Sequence, residues 1–208
     1  MDAKDFVYLH NHSHYSLLEA LPKPKALVAR AKALGMNAIA LTDNGALYGA
    51  VEFYKACKDA EMKAIIGADI YVAQHGMTDR RPRIDDRPYR LVLLVENEEG
   101  YRNLCAIVSA AYLEGFYYKP RVDKAFLRLH SKGLIALSGS VSSEIAHAFL
   151  GDDHEKVERL VGEYQEIFGK ENFFLELINH PDMPRQVDVN NGFRALAKKT
   201  GANLVATR

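Results

Sequence analysis

An α/β barrel is the architecture this sequence points to. Seven short apolar runs recur along the chain, most of them separated by segments of helical period. The runs alternate little between apolar and polar residues, as expected of parallel strands covered on both faces. No G-x-G-x-x-G follows any run, so an open dinucleotide-binding sheet lacks its fingerprint.

The elements follow in order. Phe6-Val7-Tyr8-Leu9 reads as a first strand. Pro24 to Leu34 reads as a helix with Leu27, Val28, Ala31 and Leu34 on one face, Pro24 in its first turn and Gly35 just past its end. Ala38 to Leu41 is the second strand, and Leu47, Ala50, Val51 and Tyr54 mark the next helix. Ala64 to Val72 and Leu91 to Val95 are the third and fourth strands. Tyr101, Leu104, Cys105, Val108, Ala111 and Tyr112 form a helical stripe. Leu134 to Leu137 is the fifth strand. Val157, Leu160, Val161, Tyr164, Ile167 and Phe168 give the cleanest amphipathic helix. Phe173 to Ile178, a helix around Val189, Phe193, Leu196 and Ala197 stopped at Gly201, and Leu204 to Ala206 complete the pattern.

Gln74 to Pro88 breaks the rhythm. It holds Arg80, Arg81, Arg83 and Arg87 with Asp79, Asp85 and Asp86, and reads as an exposed charged insertion or hairpin. A solvated loop is one reading; a contact surface for a partner or a phosphate backbone is the other.

Composition narrows the class. The 208 residues are 48% hydrophobic and 26% charged, which fits a soluble globular protein and excludes disorder as the main state. No run approaches the roughly 18 apolar residues of a membrane span. Met1 to Asp5 is charged and has no signal-peptide core, so the expected location is the cytoplasm. Two cysteines make no disulfide framework, and Cys57 and Cys105 read as small core residues. Lys and Arg total 27 against 27 Asp and Glu, whereas a domain gripping nucleic acid alone would show a basic excess.

In α/β barrels chemistry sits where strands end. Those positions carry His10-Asn11-His12-Ser13-His14, Thr42-Asp43-Asn44-Gly45, Asp69, Ser138-Gly139-Ser140 and Asn179-His180-Pro181-Asp182. In extended backbone His10 and His12 point the same way, and two imidazoles with carboxylates such as Glu19, Asp43 or Asp69 can bind a cation. A polar loop with surface histidines is the alternative. Asp43 and His180 are site-lining candidates. His75, His130, His147 and His154 read as solvated or satisfied. Phe116-Tyr117-Tyr118 reads as packing under a loop or as a stacking platform. There is no G-x-S-x-G, Walker A loop or H-E-x-x-H.

The stretch His10-Asn11-His12-Ser13-His14-Tyr15-Ser16-Leu17-Leu18-Glu19 resembles the opening motif of the PHP (polymerase and histidinol phosphatase) domain. Ala40-Leu41-Thr42-Asp43, Gly49 to Tyr54, Ile66 to Val72, Tyr117 to Arg121, Leu137-Ser138-Gly139 and Phe174 to Leu177 resemble the branch of that family at the N-terminus of bacterial replicative polymerase α subunits. The resemblance spans nearly the whole chain. It implies a distorted (β/α)7 TIM-like barrel, taken as one PHP domain over residues 1–208 that stops short of its last metal motif.

The family's active members hold three metals and hydrolyse phosphoesters. By resemblance His10, His12, Glu19 and Asp69 match metal-ligand positions, with Glu19 where an Asp is usual and Asp69 where a Glu is usual. Asn44 and Arg90 stand at His positions and Ser140 at a Cys position. Guanidinium is permanently cationic and repels a metal. The expectation is therefore a catalytically silent scaffold, with zinc or manganese below stoichiometry or absent and no organic cofactor. Arg90 and Asn44 would fill the vacated space, with Asp69 or Glu19 as the arginine's partner. The implied partners are the remaining polymerase domains, a proofreading exonuclease subunit, and DNA reached through the parent enzyme; no membrane is implied. The alternative is a metal-dependent phosphoesterase of 3′–5′ exonuclease or small-ester type.

Overall fold

The computed structural model describes residues 6–207; Met1 to Asp5, read above as a charged lead-in, and Arg208 lie outside them. The order is α1 (Pro24–Ala33), β1 (Ala38–Leu41), α2 (Ala50–Asp59), β2 (Lys63–Val72), β3 (Tyr89–Val95), α3 (Glu98–Leu113), β4 (Arg121–Val122), α4 (Lys124–Leu129), β5 (Leu134–Leu137), α5 (Glu144–Leu150), α6 (His154–Phe168), a short 3-10 turn (Lys170–Asn172), β6 (Phe173–Ile178), α7 (Pro184–Thr200) and β7 (Asn203–Thr207).

Local chemistry sets the helix starts. The side chains of Asn97, Asp123, Ser143 and Asp153 accept the free N–H groups of Gly100, Phe126, Ala146 and Lys156 at the heads of α3, α4, α5 and α6. Pro24 and Pro184 occupy the first turns of α1 and α7, and α7 ends on Gly201 in the left-handed conformation.

The seven strands form one curled sheet in the order β1-β2-β3-β5-β6-β7, with β4 beside β2. This is the distorted TIM-like barrel expected, with one reversal. β1–β2, β2–β4, β5–β6 and β6–β7 are parallel, but β3 runs antiparallel to both β2 and β5. The connection 73–88 is a hairpin, so the chain returns without a crossover helix. An apolar run has the same pattern in either direction, and the reversal left no mark in the sequence. Phe6 to Leu9 is not a full strand; it makes an isolated parallel bridge, Tyr8 to Ile39, beside β1. β4, only two residues long, and the short helices α4 and α5 were not delineated by the pattern.

Period-two alternation divides the strands between two cores. Ile70, Val72, Leu91, Leu93 and Phe173 face outward and pack with Leu104 and Ile107 of α3 and Val157, Leu160, Val161 and Tyr164 of α6. The inward set is layered. Leu9, Ile65, Ile135, Phe174 and Val205 surround a small apolar core of Ala40, Val92, Leu94 and Leu137. Two residues away along β3, β6 and β7 stand Arg90, Glu176 and Thr207, and four beyond Ile65 on β2 stands Asp69. The barrel is thus apolar at the base and charged at the top.

Candidate functional site

The top layer surrounds a cavity of about 780 Å³ lined by His10, His12, Glu19, Asp69, Arg90, Ser140, His180 and Thr207, among others. His10 and His12 arrive on the segment after the Tyr8 bridge. That segment is pinned by Asp43: its carboxylate accepts the Ser13 N–H at 2.6 Å, the Ser13 hydroxyl at 2.8 Å and the Ser16 hydroxyl at 2.7 Å. Asp43 is buried and turned into this loop, so it holds the histidine segment against the end of β1 instead of facing the cavity. Thr42 adds a hydroxyl that accepts from the Asn11 N–H at 2.9 Å and donates to the Asn11 carbonyl at 3.0 Å.

Asp69 is the centre of the charged layer. Its Oδ2 lies 3.2 Å from His10 Nε2, 3.5 Å from His12 Nε2 and 2.5 Å from Arg90 Nη2, and its Oδ1 accepts from Arg90 Nε at 2.9 Å. The guanidinium therefore holds both oxygens of one carboxylate, the fork-to-fork geometry that arginine favours. Arg90 also donates to the Asn44 amide oxygen and, at 3.3 Å, to the Tyr71 hydroxyl, and its carbon lies 4.7 Å from the Tyr71 ring centroid. Glu19 Oε2 accepts from Asn44 Nδ2 at 2.6 Å and stands 3.8 Å from Arg90 Nη1. Asn44, Arg90, Asp69 and Glu19 are thus one bonded network.

Burial works against ionising Asp69, but the hydrogen bond from His10, the His12 imidazole 3.5 Å away and the charge of Arg90 outweigh it and hold its carboxyl well below the usual range. Burial likewise opposes charge on His10, and the Glu176 and Asp69 carboxylates overcome it, raising its pKa to about 10. His10 Nδ1 lies 2.8 Å from Glu176 Oε1, which also accepts the Thr207 hydroxyl at 2.6 Å.

Glu176 is the site residue that sequence reading did not single out. It is fully buried, and its N–H donates to the Ser138 hydroxyl at 2.9 Å. The available signal was its parity: in Phe174-Leu175-Glu176 it shares the inward face with Phe174, and a carboxylate so buried needs a partner. Ser140 and His180 line the cavity without bonding to Asp69 among the described residues. Ser140 Oγ accepts from the Ser142 N–H at 3.3 Å.

His10, His12 and Asp69 each bring a ligand atom within 4.8 Å of the others, a grouping able to hold a metal ion. The donor set does not fit a multinuclear cluster. Both Asp69 oxygens are engaged by a permanent cation, and the amide of Asn44 and the carboxylate of Glu19 are tied into the same network.

Comparison with known proteins agrees with this fold. The model of the PHP domain family matches residues 8–180. The chain is 41% identical over 208 residues to DNA polymerase III subunit alpha of Treponema pallidum, covering 100% of this chain and 18% of that protein. It is 42% identical over 206 residues to the subunit of the same name from Thermus aquaticus, covering 97% of this chain and 17% of that protein. The chain therefore spans less than a fifth of the length of these relatives. Among solved structures it resembles a protein assigned as a metal-dependent phosphoesterase from Bifidobacterium adolescentis, with TM-score 0.58, 11% identity, and coverage of 97% of this chain and 86% of that one. It also resembles an amidohydrolase from Chromobacterium violaceum with bound SO4 and no metal, with TM-score 0.57, 14% identity, and coverage of 97% and 86%. The barrel, the histidine segment at its mouth and the family match over most of the sequence agree, and the chain belongs to the PHP domain family.

Proposed function

We propose that residues 1–208 form one PHP domain of a replicative DNA polymerase α subunit, and that the domain is a metal-free scaffold. Its work is to support neighbouring polymerase segments and to dock a proofreading exonuclease subunit, in the cytoplasm, with DNA held mainly by the rest of the enzyme. The observation that carries the reading is the Arg90 guanidinium, bonded to both oxygens of Asp69 and to Asn44. It supplies a fixed positive charge to the carboxylates that a metal would otherwise neutralise. The relatives named DNA polymerase III subunit alpha support the parent enzyme. No helix among the described residues is long and apolar enough to cross a membrane.

A second reading, a metal-dependent phosphoesterase with one zinc or manganese ion, is favoured by one specific feature. His12 Nε2 is buried, has no hydrogen-bond partner among the described residues and belongs to the His10–His12–Asp69 grouping. Elemental analysis of purified protein, with an anomalous-scattering map around His10 and His12, separates the two. The scaffold reading expects no stoichiometric zinc, manganese or iron. Tightly bound metal together with phosphodiester hydrolysis that His12→Ala abolishes would replace it with the second.

A further inference from the structure

The connection 73–88 lies outside the Arg90 network. Loops of this length without regular structure are uncommon in compact domains, and are mostly either disordered or functional. This one is built as a fixed platform. Arg121 on β4 is wholly buried, and its guanidinium donates to the carbonyls of Met77 at 3.1 Å, Asp79 at 2.9 Å and Asp85 at 2.6 Å, and to Gly115 beyond α3 at 3.1 Å. One buried cation therefore ties the loop to the turn that follows α3.

The charges on the platform are sorted. Arg81 pairs with Asp85 at 2.8 Å and with Asp79 at 3.5 Å. Arg80, Arg83 and Arg87 are exposed and make no ion pair among the described residues, and neither does Lys119 in the adjoining turn. Lys119 and Arg90 both lie over the Tyr71 ring, at 5.5 and 4.7 Å, so the Lys119 end of the platform adjoins the Arg90 network.

Aromatic rings lie in the turn that carries Lys119 and that Arg121 ties to the loop. Tyr118 is 69% exposed and Phe116 48%, so both rings present open faces to solvent. The Tyr117 ring lies 5.2 Å from the Arg121 guanidinium and meets Tyr118 edge-on at 4.8 Å, which braces the outer ring. Arg83 and Tyr118 both adopt positive φ, 65° and 56°, a strained conformation for side chains of their size.

We propose that this face binds single-stranded nucleic acid, with phosphates on Arg80, Arg83, Arg87 and Lys119 and a base stacked on Tyr118. Unpaired cations recruit the backbone, and exposed rings accept the faces of unpaired bases. An acidic peptide would use the cations but not the rings. The inference is independent of the metal status of the barrel. The face is small, which agrees with a chain whose total charge is balanced.

The test is fluorescence anisotropy of the 208-residue chain with a labelled 15-nucleotide oligothymidine. Binding is expected at 50 mM salt with a dissociation constant of roughly 1–100 μM and a log–log salt slope of about −2 to −3, from about 0.7 per phosphate contacted. Combining Arg80→Gln, Arg83→Gln and Arg87→Gln should weaken binding at least roughly tenfold and flatten the slope by about 2. Tyr118→Ala should weaken it roughly fivefold or more and leave the slope unchanged. Lys198→Gln, on the exposed side of α7, should change neither. All these side chains are exposed, so melting temperatures should match the parent. If the triple variant melts early, Tyr118→Ala and Lys119→Gln decide the matter alone. The proposal is overturned if the chain does not bind, if these variants bind like the parent, or if Lys198→Gln weakens binding as much. It is also overturned if poly-glutamate competes as well as oligothymidine, which would assign the face to an acidic protein segment.

Discussion

Arg90 on β3 and Asp69 on β2 are diagonal neighbours on the inner face of an antiparallel strand pair. Asp69 is in register with Val92 and Tyr71 with Arg90. The β2–β3 hairpin thus delivers an arginine to a carboxylate by strand pairing, and Tyr71 supplies the ring beneath it. Diagonal neighbours lie close enough for long side chains to meet.

The first prediction tests that pair. Arg90→Ala takes the guanidinium from buried Asp69 and leaves it only the His10 imidazole as a cationic neighbour; removing one partner of a buried ion pair costs up to about 3–5 kcal/mol. The loss should appear as a lower urea midpoint with an unchanged m-value. Arg90→Lys should recover only part of it, because an ammonium cannot engage both carboxylate oxygens, Asn44 and Tyr71 in one plane. Full recovery by lysine would show that charge alone matters.

The second prediction exchanges the resident cation for imidazole. Asn44→His combined with Arg90→His removes the guanidinium and adds two ligands beside His10, His12 and Asp69. Zinc should then raise the melting temperature of the double variant and leave the parent unchanged. At a hundredfold excess over its dissociation constant a ligand stabilises by about 2.7 kcal/mol. A double variant indifferent to zinc and to chelator would mean that the vacated space does not assemble a site.

What could be read beforehand divides along physical lines. Helix α6 was plain because six buried side chains, Val157 to Phe168, repeat at helical spacing. His10, His12 and Asp69 were visible because polar residues at strand ends are conspicuous. The Arg90–Asp69 pairing could be anticipated only through the family resemblance, since strand register is a long-range property. Glu176 was hidden as one acid inside an apolar strand, and Arg121 as one cation in a charged turn. What makes each of them matter is burial by segments distant in sequence.

The third prediction concerns the contact between α3 and the turn before β5. A Cβ on Gly100 would fall 1.7 Å from the Gly133 carbonyl oxygen, a backbone atom that cannot step aside. Gly→Ala in a helix normally stabilises by up to about 1 kcal/mol. Here the clash should reverse the sign and destabilise by about 1–3 kcal/mol or more. Gly162 on α6 meets nothing within 4 Å, so Gly162→Ala should stabilise instead. Thermal melts of the two variants on one axis check the contrast, and equal shifts would refute the close approach.

The fourth prediction is a pH dependence carried by Asp85. The hydrogen bond from the Arg81 side chain is the largest influence holding its carboxyl well below the ordinary value of 3.8; burial opposes it, and the Arg81 N–H and His75 assist. A carboxyl more acidic in the folded than in the unfolded chain binds fewer protons when folded. Its contribution is therefore complete above the unfolded value and shrinks as pH falls below about 3.8 toward the folded value. Asp85→Asn should be less stable than the parent at pH 7, and the gap should narrow steadily between pH 4 and pH 2. Urea unfolding of both proteins across that range isolates this one group, because the other acids titrate alike in each. A gap that stays constant to pH 2 would mean that Asp85 anchors the loop through the shape of its side-chain hydrogen bonds to Arg81 and not through its charge.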